Sequence, residues 1–469
     1  MNGRHMLQLL TKSYKEVLVL EQSNKIKEYL ETVCEQIRWK KAHGIISEEI
    51  ENHIIDQKNA FLDDGLDDET ATAKAILEMG DPVTIGTGLD GVYRPKPEWG
   101  IIILTSVMLL LGIVIRAFIT YDYQMSWKLI NGIVYTLIGI AFMTIAYFLD
   151  FSIIGKYPKT IYFGLIITTI GIAILGRTIR GQNFYVKFIM LLFPTALTGI
   201  LYTMRSKGYW GIILSGVYCI IPGIICFKAG LSSLALYFIT CFILIIFAII
   251  KGWFNVKKIN ALLLVCILTV ILSIVILVSM NGYQLDRLKG AFDPTVGGYM
   301  KNIVKKITEN AQFIGNNRYG IDTSNLIELE YIDTDYLLIH LIDKIGWISF
   351  IIIMLIILAF IIRSLRFSLT QKGVLGGLVS FSVIINFTMQ VLIYVANNLG
   401  FQLIAPLTLP LISYGGIGTI INMFLIGIML SVYKSGILYK NDNKLNISSN
   451  KNKIFQFIDG KIIIDFNRR

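Results

Sequence analysis

Charge is scarce in this chain. Only 16% of its residues are Asp, Glu, Lys or Arg, where a soluble globular domain carries about 25%. That deficit argues against a wholly water-exposed body. Cysteine is equally thin: Cys34, Cys219, Cys226, Cys241 and Cys266 form no CxxC, and no histidine stands at metal-ligand spacing from them. This pattern excludes a zinc ribbon or a disulfide framework, and the five are expected as reduced, mostly buried small hydrophobes. No cofactor motif is present, and none is expected. No cleavable leader is expected either, because Lys12, Lys15 and Glu16 interrupt the apolar stretch of the first 20 residues. There is no block of consecutive basic residues, so the net charge of +11 reads as loops lying on anionic lipid, with no nucleic-acid surface.

What fills the chain is hydrocarbon. Hydrophobic residues make up 54%, and the mean hydropathy is +0.64. The charges are also unevenly placed: residues 1–99 hold 12 basic and 18 acidic side chains, and the remainder 31 and 14. An acidic head ahead of a basic, apolar body predicts two parts. The fold class expected is all-α: a polytopic membrane protein with about ten transmembrane helices and a small cytoplasmic N-terminal helical domain. The domains predicted are 1–95, 96–435 and a basic tail over 436–469.

Three head helices are predicted from their punctuation. Ser23 caps the first, which runs through Trp39 and stops near Gly44. Ser47 with Glu48 and Glu49 opens the second, which ends at Asp63-Asp64-Gly65. Asp67 caps the third through Met79, and Gly80-Asp81-Pro82 stops it. The run from Gly65 to Pro82 resembles the helical prefix domain found ahead of many bacterial permeases, which implies a docking or regulatory module with a cytoplasmic partner. Arg94-Pro95-Lys96-Pro97 is a stiff linker.

From Gly100 onward, apolar runs of about 20 residues recur, long enough for a ~30 Å hydrocarbon core. They fall at about 100–120, 129–149, 160–176, 184–204, 209–227, 231–250, 259–280, 336–362, 373–395 and 411–433. The loops after even-numbered spans carry Lys156, Lys159, Arg205, Lys207, Lys251, Lys257, Lys258, Arg363, Arg366 and Lys372. By the positive-inside rule those loops and both termini are cytoplasmic. A long outer loop follows at about 281–335, too long for mere linkage. In the tail, apolar residues around Asp459-Gly460 predict a β-hairpin.

Four ionisable residues fall inside the expected spans: Arg116, Lys187, Asp343 and Lys344. Charge at membrane depth is costly, so each is a functional candidate. Arg116 is read as snorkelling from a span end. Asp343 and Lys344 either neutralise each other or serve function, and Lys187 is placed to meet an anion. The outer loop adds Arg287, Asp293, Asp333 and Asp335. A carboxylate at the membrane surface can take a proton from a substrate hydroxyl.

The stretch Leu409-Pro410-Leu411-Ile412-Ser413-Tyr414-Gly415-Gly416 resembles the terminal signature of the SEDS family (shape, elongation, division and sporulation). Thr334-Asp335-Tyr336 through Ile345-Gly346 is similar to that family's Thr-Asp-Phe segment. Arg287, Phe292-Asp293-Pro294 and Gly298-Tyr299 resemble its Arg…Asn-Pro…Gly-Tyr-Gln stretch. The resemblance covers about residues 100–435. It implies peptidoglycan glycosyltransfer: polymerisation of lipid II at the outer face of the bacterial cytoplasmic membrane, beside a class B penicillin-binding protein. It implies Asp335 as the catalytic base, and Lys187, Arg287, Tyr299, Ser413, Tyr414, Gly415 and Gly416 as substrate-binding. The chain departs from the family pattern at Arg180-Gly181, at Lys228-Ala229-Gly230-Leu231, at Asp343-Lys344 and at Met300. Two other roles stay open: a catalytically silent regulator of a cell-wall synthase, and a transporter of lipid-linked precursor.

Overall fold

The structure, a computed structural model, describes residues 24–94, 97–123, 126–176, 178–179, 182–225, 231–278, 282, 285, 299–315, 333–371, 373–401, 407–451, 455–458 and 461–464. The chain divides into two compact units: Pro97–Tyr433, and Met1–Lys96 with Lys434–Arg469.

In the first unit, α1 (residues 24–35), α2 (His43–Asp63), α3 (Asp68–Met79) and α4 (Pro82–Tyr93) enclose a core of Val33, Ile37, Ile46, Ile50, Ile54 and Ala75. The head therefore has a fourth helix that the punctuation did not predict. Gly80, at φ +86, ends α3, and the next two residues start α4: the Asp81 carboxylate accepts from Thr84 N at 2.9 Å and Pro82 stands at the first turn. Asp-Pro is a start signal as well as a stop. Asp67 caps α3 as expected, accepting from Thr70 N at 3.2 Å. The first helix stops at residue 35, short of Trp39, and α2 begins at His43, ahead of Ser47.

The second unit starts with α5 (Trp99–Tyr123), α6 (Ser126–Phe148), short α7 (Ser152–Lys156) and α8 (Pro158–Leu175). A two-residue ladder, β1 (Thr178–Ile179) with β2 (Gln182–Asn183), leads into α9 (Val186–Ile189) and α10 (Phe193–Met204). Then come α11 (Gly208–Ile225), α12 (Leu231–Ile250), α13 (Lys258–Val278), α14 (Tyr299–Asn310), α15 (Leu337–Ile345), α16 (Trp347–Thr370), α17 (Val374–Asn398) and α18 (Gly416–Lys451). Nine stretches among the described residues are long and apolar enough to cross a membrane. One of them, Val186–Ile225, has 40 residues, about 60 Å if straight and twice the ~30 Å core. It reverses where Arg205–Lys207 tightens and Gly208 takes φ +57, so it forms two spans, which makes ten among the described residues. The chain is a multi-pass, all-α membrane protein. In the tail, β3 (Phe455–Ile458) pairs antiparallel with β4 (Lys461–Ile464), the hairpin expected there.

Two expectations are corrected. The eighth span begins at Trp347, because 337–345 is a separate helix. Gly346 divides the two at φ +100, and a Cβ there would lie 2.7 Å from Phe313 O. This turn is held by Trp347 N donating to Gln312 O at 3.0 Å and Ile348 N to Phe313 O at 3.1 Å. Asp343 and Lys344 thus lie outside the spans. Of the cysteines, Cys219 and Cys241 are buried, but Cys266 is exposed on α13, among side chains such as Ile267 and Val270 that suit lipid.

Helices α17 and α18 are the most enclosed of the spans and α13 the least. At one end of the bundle, Arg363 near the end of α16 donates through two nitrogens to Glu98 just before α5. The opposite end carries the loop residues to which function was assigned.

Candidate functional site

Three consecutive carbonyls are pinned ahead of α15. Asp333 O accepts from Tyr414 N at 2.9 Å. Thr334 O accepts from the Tyr394 hydroxyl at 2.6 Å, and Asp335 O from Asn398 Nδ2 at 2.9 Å. The same two side chains satisfy the first amides of α15: Leu337 N donates to Tyr394 Oη at 3.1 Å and Ile339 N to Asn398 Oδ1 at 3.2 Å. No side chain caps this helix from within, so α17 supplies the acceptors its orphan N–H groups need. The short helix packs Ile339 and Ile342 on Val304 and Ile307 of α14. Asp335 therefore sits where a short, largely buried helix begins, on a backbone with little freedom.

Around it stand the charges. Asp333 is only 7% exposed, and its carboxylate meets Lys128 Nζ, at the start of α6, at 3.1 Å. Arg116, near the end of α5, is also 7% exposed and interacts electrostatically with Tyr414 and Asp333. Its Nε and Nη2 have no hydrogen-bond partner among the described residues. The guanidinium lies against Gly132, where an added Cβ would press on Nη1. The expectation of a snorkelling Arg116 is corrected: it points into the protein. Burial pushes the Tyr414 phenol above its ordinary pKa, with Tyr135 adding to the rise and a hydrogen bond from Asn131 opposing it. Tyr414 thus stays a neutral donor at ordinary pH.

Lys187 enters from α9. Its ammonium lies 4.6 Å from the Phe184 ring and 4.9 Å from that of Phe188, and it interacts electrostatically with Asp335. Two residues far apart in sequence thus lie within electrostatic reach of each other. The signature Leu409–Gly416 ends the loop between α17 and α18, with Gly416 opening α18. Ser413 is buried and donates to Leu409 O at 3.3 Å. Gly416 presses on the Tyr135 ring and Gly415 on Thr408. Span α5 closes on this loop, since a Cβ at Gly112 would be 2.8 Å from Leu411 O and Ile412 O. Leu411 itself holds φ +66, a left-handed conformation that costs a non-glycine residue about 1–2 kcal/mol. Ser413, Gly415 and Gly416 hold the loop together, and Tyr414 is the member of the signature that reaches the charged cluster.

Other expected residues fall elsewhere. Arg287 and Asp293 lie outside the described residues, and Tyr299 begins α14 with its side chain outside them. Asp343 is buried on α15 and Lys344 half-buried beside it. Among the described residues no three His, Cys, Asp or Glu side chains converge. Residue-by-residue reading missed Lys128, Tyr394 and Asn398. The last two carried a signal: Asn386, Gln390, Tyr394 and Asn398 recur every fourth residue, one stripe of polar groups along an apolar helix.

A family model described as "Cell cycle protein", FTSW_RODA_SPOVE, matches residues 98–436. The chain belongs to this family. The FtsW/RodA/SpoVE match covers the whole membrane unit and bears out the resemblance read from the sequence. Among relatives, the chain is similar to "Probable peptidoglycan glycosyltransferase FtsW" of Wigglesworthia glossinidia brevipalpis, 32% identical over 33% of this chain and 42% of the relative. The chain spans about two fifths of the length of the first curated relatives it matches. A protein of the same description from Coxiella burnetii is 21% identical over 71% of this chain and 95% of its own. A solved structure described as "Structural coordination of polymerization and crosslinking by a peptidoglycan synthase complex" shares the fold, with TM-score 0.60 at 16% identity over 73% of this chain and 98% of that chain. Within the FtsW/RodA/SpoVE framework, the site offers one carboxylate on a pinned backbone, a cation within its electrostatic reach and a neutral phenol donor.

Proposed function

We propose that the protein is a peptidoglycan glycosyltransferase that polymerises lipid II. The observation that carries this reading is the placement of Asp335 on a segment pinned by Tyr414 N, the Tyr394 hydroxyl and Asn398 Nδ2, within electrostatic reach of Lys187. A sugar hydroxyl is a poor nucleophile until a base shares its proton, and Asp335 is the base. The leaving group is a lipid pyrophosphate whose growing charge needs cations, the role of Lys187 and Arg287. The names of the relatives support this chemistry. The excess of Lys and Arg in the loops after even-numbered spans supports a site on the outer face of the cytoplasmic membrane, with both termini inside. The partner is a class B penicillin-binding protein, a reading supported by the neighbour's peptidoglycan synthase complex.

The test is polymer formation from labelled lipid II by purified protein with its partner. Asp335→Asn keeps size but cannot hold the proton, and should slow polymerisation by about 10²–10⁴-fold at normal expression. Asp333→Asn is a poor control because its carboxylate is committed to Lys128. Glu309→Gln, on the exposed side of α14, should leave the rate unchanged. Should the wild type with its partner make no polymer, the silent regulator replaces this reading.

A further inference from the structure

We infer that Lys128 and Asp333 form a clasp that positions Asp335, so that Lys128 is a positioning residue for a site it does not enter. The inference rests on the reading of Asp335 as the base. It starts from an asymmetry between two aspartates two residues apart. The Asp333 carboxylate is turned into the protein and engaged by Lys128 at 3.1 Å, whereas Asp335 lies half-buried, within electrostatic reach of Lys187. The backbone between them is held at each residue by a different group: Tyr414 N, the Tyr394 hydroxyl and Asn398 Nδ2. Tyr394 and Asn398 come from α17 and Tyr414 from the loop after it. Lys128 is the attachment from the opposite wall, because it opens α6.

Charge sets the strength of this attachment. Asp333 is the carboxylate that faces both Lys128 and the buried Arg116. Removing Lys128 leaves the nearly buried Asp333 carboxylate with Arg116 alone, and removing Asp333 leaves both cations without their carboxylate. The Lys128 side chain is 22% exposed and that of Asp333 9%, so the pair is shielded from the screening that weakens surface ion pairs. With the clasp open, the segment 333–335 keeps its hold on α17 but loses its bearing on α6. Asp335 then samples positions away from the acceptor hydroxyl. The defect expected is in turnover with no loss of substrate affinity, since Lys128 is committed to Asp333 and not to the pyrophosphate.

The experiment compares Lys128→Met, Lys128→Arg, Asp333→Asn and the double variant Lys128→Met/Asp333→Asn in two assays on the full chain. In the first, amide hydrogen exchange in the peptide covering 333–337 should rise on the order of tenfold in Lys128→Met, with exchange in the middle of α6 unchanged. In the second, kcat with lipid II should fall on the order of tenfold while KM stays within about twofold. Lys128→Arg should restore most of both. The double variant should be no worse than the worse single one, as coupled groups behave. Unchanged exchange at 333–337 in Lys128→Met overturns the clasp, and so do additive effects or a rise in KM with kcat intact. If Lys128→Met does not fold, Asp333→Asn and Lys128→Arg carry the same comparison. A wild type that makes no polymer refutes the proposed activity alone, and the exchange assay still decides the clasp.

Discussion

Asn398 is the side chain on which the site's geometry depends most directly, and Asn398→Ala tests that dependence. The residue is fully buried. Its amide donates to Asp335 O at 2.9 Å and to Tyr394 O at 3.0 Å, and its carbonyl accepts from Ile339 N at 3.2 Å. Truncation strands the Asp335 carbonyl and the Ile339 amide, at about 1–3 kcal/mol for each buried group left without a partner. The sum, roughly 2–6 kcal/mol, falls on a nine-residue helix with no internal cap, so the start of α15 loosens before the bundle does. A base misplaced by about 1 Å costs on the order of 10²-fold in rate. Asn398→Ala should therefore lose about that much polymerisation with a lowered melting midpoint in detergent. Asn398→Asp keeps the acceptor for Ile339 N but buries a carboxylate against the Asp335 and Tyr394 carbonyls, so it should melt no higher than Asn398→Ala. The adjacent Asn397→Ala is the control, because Asn397 Nδ2 has no hydrogen-bond partner among the described residues. Wild-type rate and midpoint in Asn398→Ala would refute the claim that this residue fixes Asp335, as would equal defects at 397 and 398.

Other substitutions test the surrounding architecture. Gly346→Ala combines a strained φ of +100 with a Cβ 2.7 Å from Phe313 O, and should lower stability by at least about 1 kcal/mol, read as the thermal midpoint in detergent. The Gln390 and Asn422 amides exchange hydrogen bonds at 3.1 and 3.2 Å between α17 and α18; either single change to Leu should cost about 1–2 kcal/mol, with the double change costing less than the sum. In the head, hydrogen bonds from Thr84 and Thr70 hold the Asp81 and Asp67 carboxyls below the ordinary 3.8. Their contribution is present above that value and lost as pH falls through the lower folded values. A fragment of residues 20–92 should accordingly be helical at pH 6 and melt at lower temperature below about pH 4, and Asp81→Ala should flatten that dependence. Finally, an impermeant thiol reagent applied outside should reach a cysteine placed at Asn316 and miss one at Asn441; the reverse would invert the topology.

The ten spans were legible because the constraint behind them is one of length and apolarity, and nothing soluble needs so many 20-residue apolar runs. What hydropathy could not resolve was a change of direction without a change of composition. Leu337–Ile345 is mostly apolar despite His340, Asp343 and Lys344 and runs straight into the span that follows, so 336–362 reads as continuous until Gly346 is seen to turn it. The fourth head helix was lost for a related reason: Gly80-Asp81-Pro82 was taken as a stop, although its last two residues also begin α4. At the site, Asp335 and Lys187 were found one at a time, whereas the Lys128–Asp333 pair joins positions about 200 residues apart and leaves no local trace in a single sequence. Arg116 was legible as unusual but not as inward-facing, since its neighbours Tyr414 and Asp333 come from distant parts of the chain.

The polar stripe on α17 explains why the loop that carries Asp335 is built at this place in the bundle. A helix that faces lipid cannot carry Asn386, Gln390, Tyr394 and Asn398 without leaving amides and a phenol in hydrocarbon. The stripe is possible because α17 is enclosed, and each of its members is engaged: Asn386 with Leu191 O, Gln390 with Asn422, Tyr394 with Thr334 O, and Asn398 with Asp335 O. Read from the middle of the membrane toward the site, the same row first fixes the segment between α9 and α10, then α18, then the loop that presents Asp335. Lys187 lies four residues before Leu191, so one ridge of one helix sets both the cation and the carboxylate. A substitution deep in that row, such as Asn386→Leu, should therefore reach the site by shifting Lys187 relative to Asp335, although it touches neither.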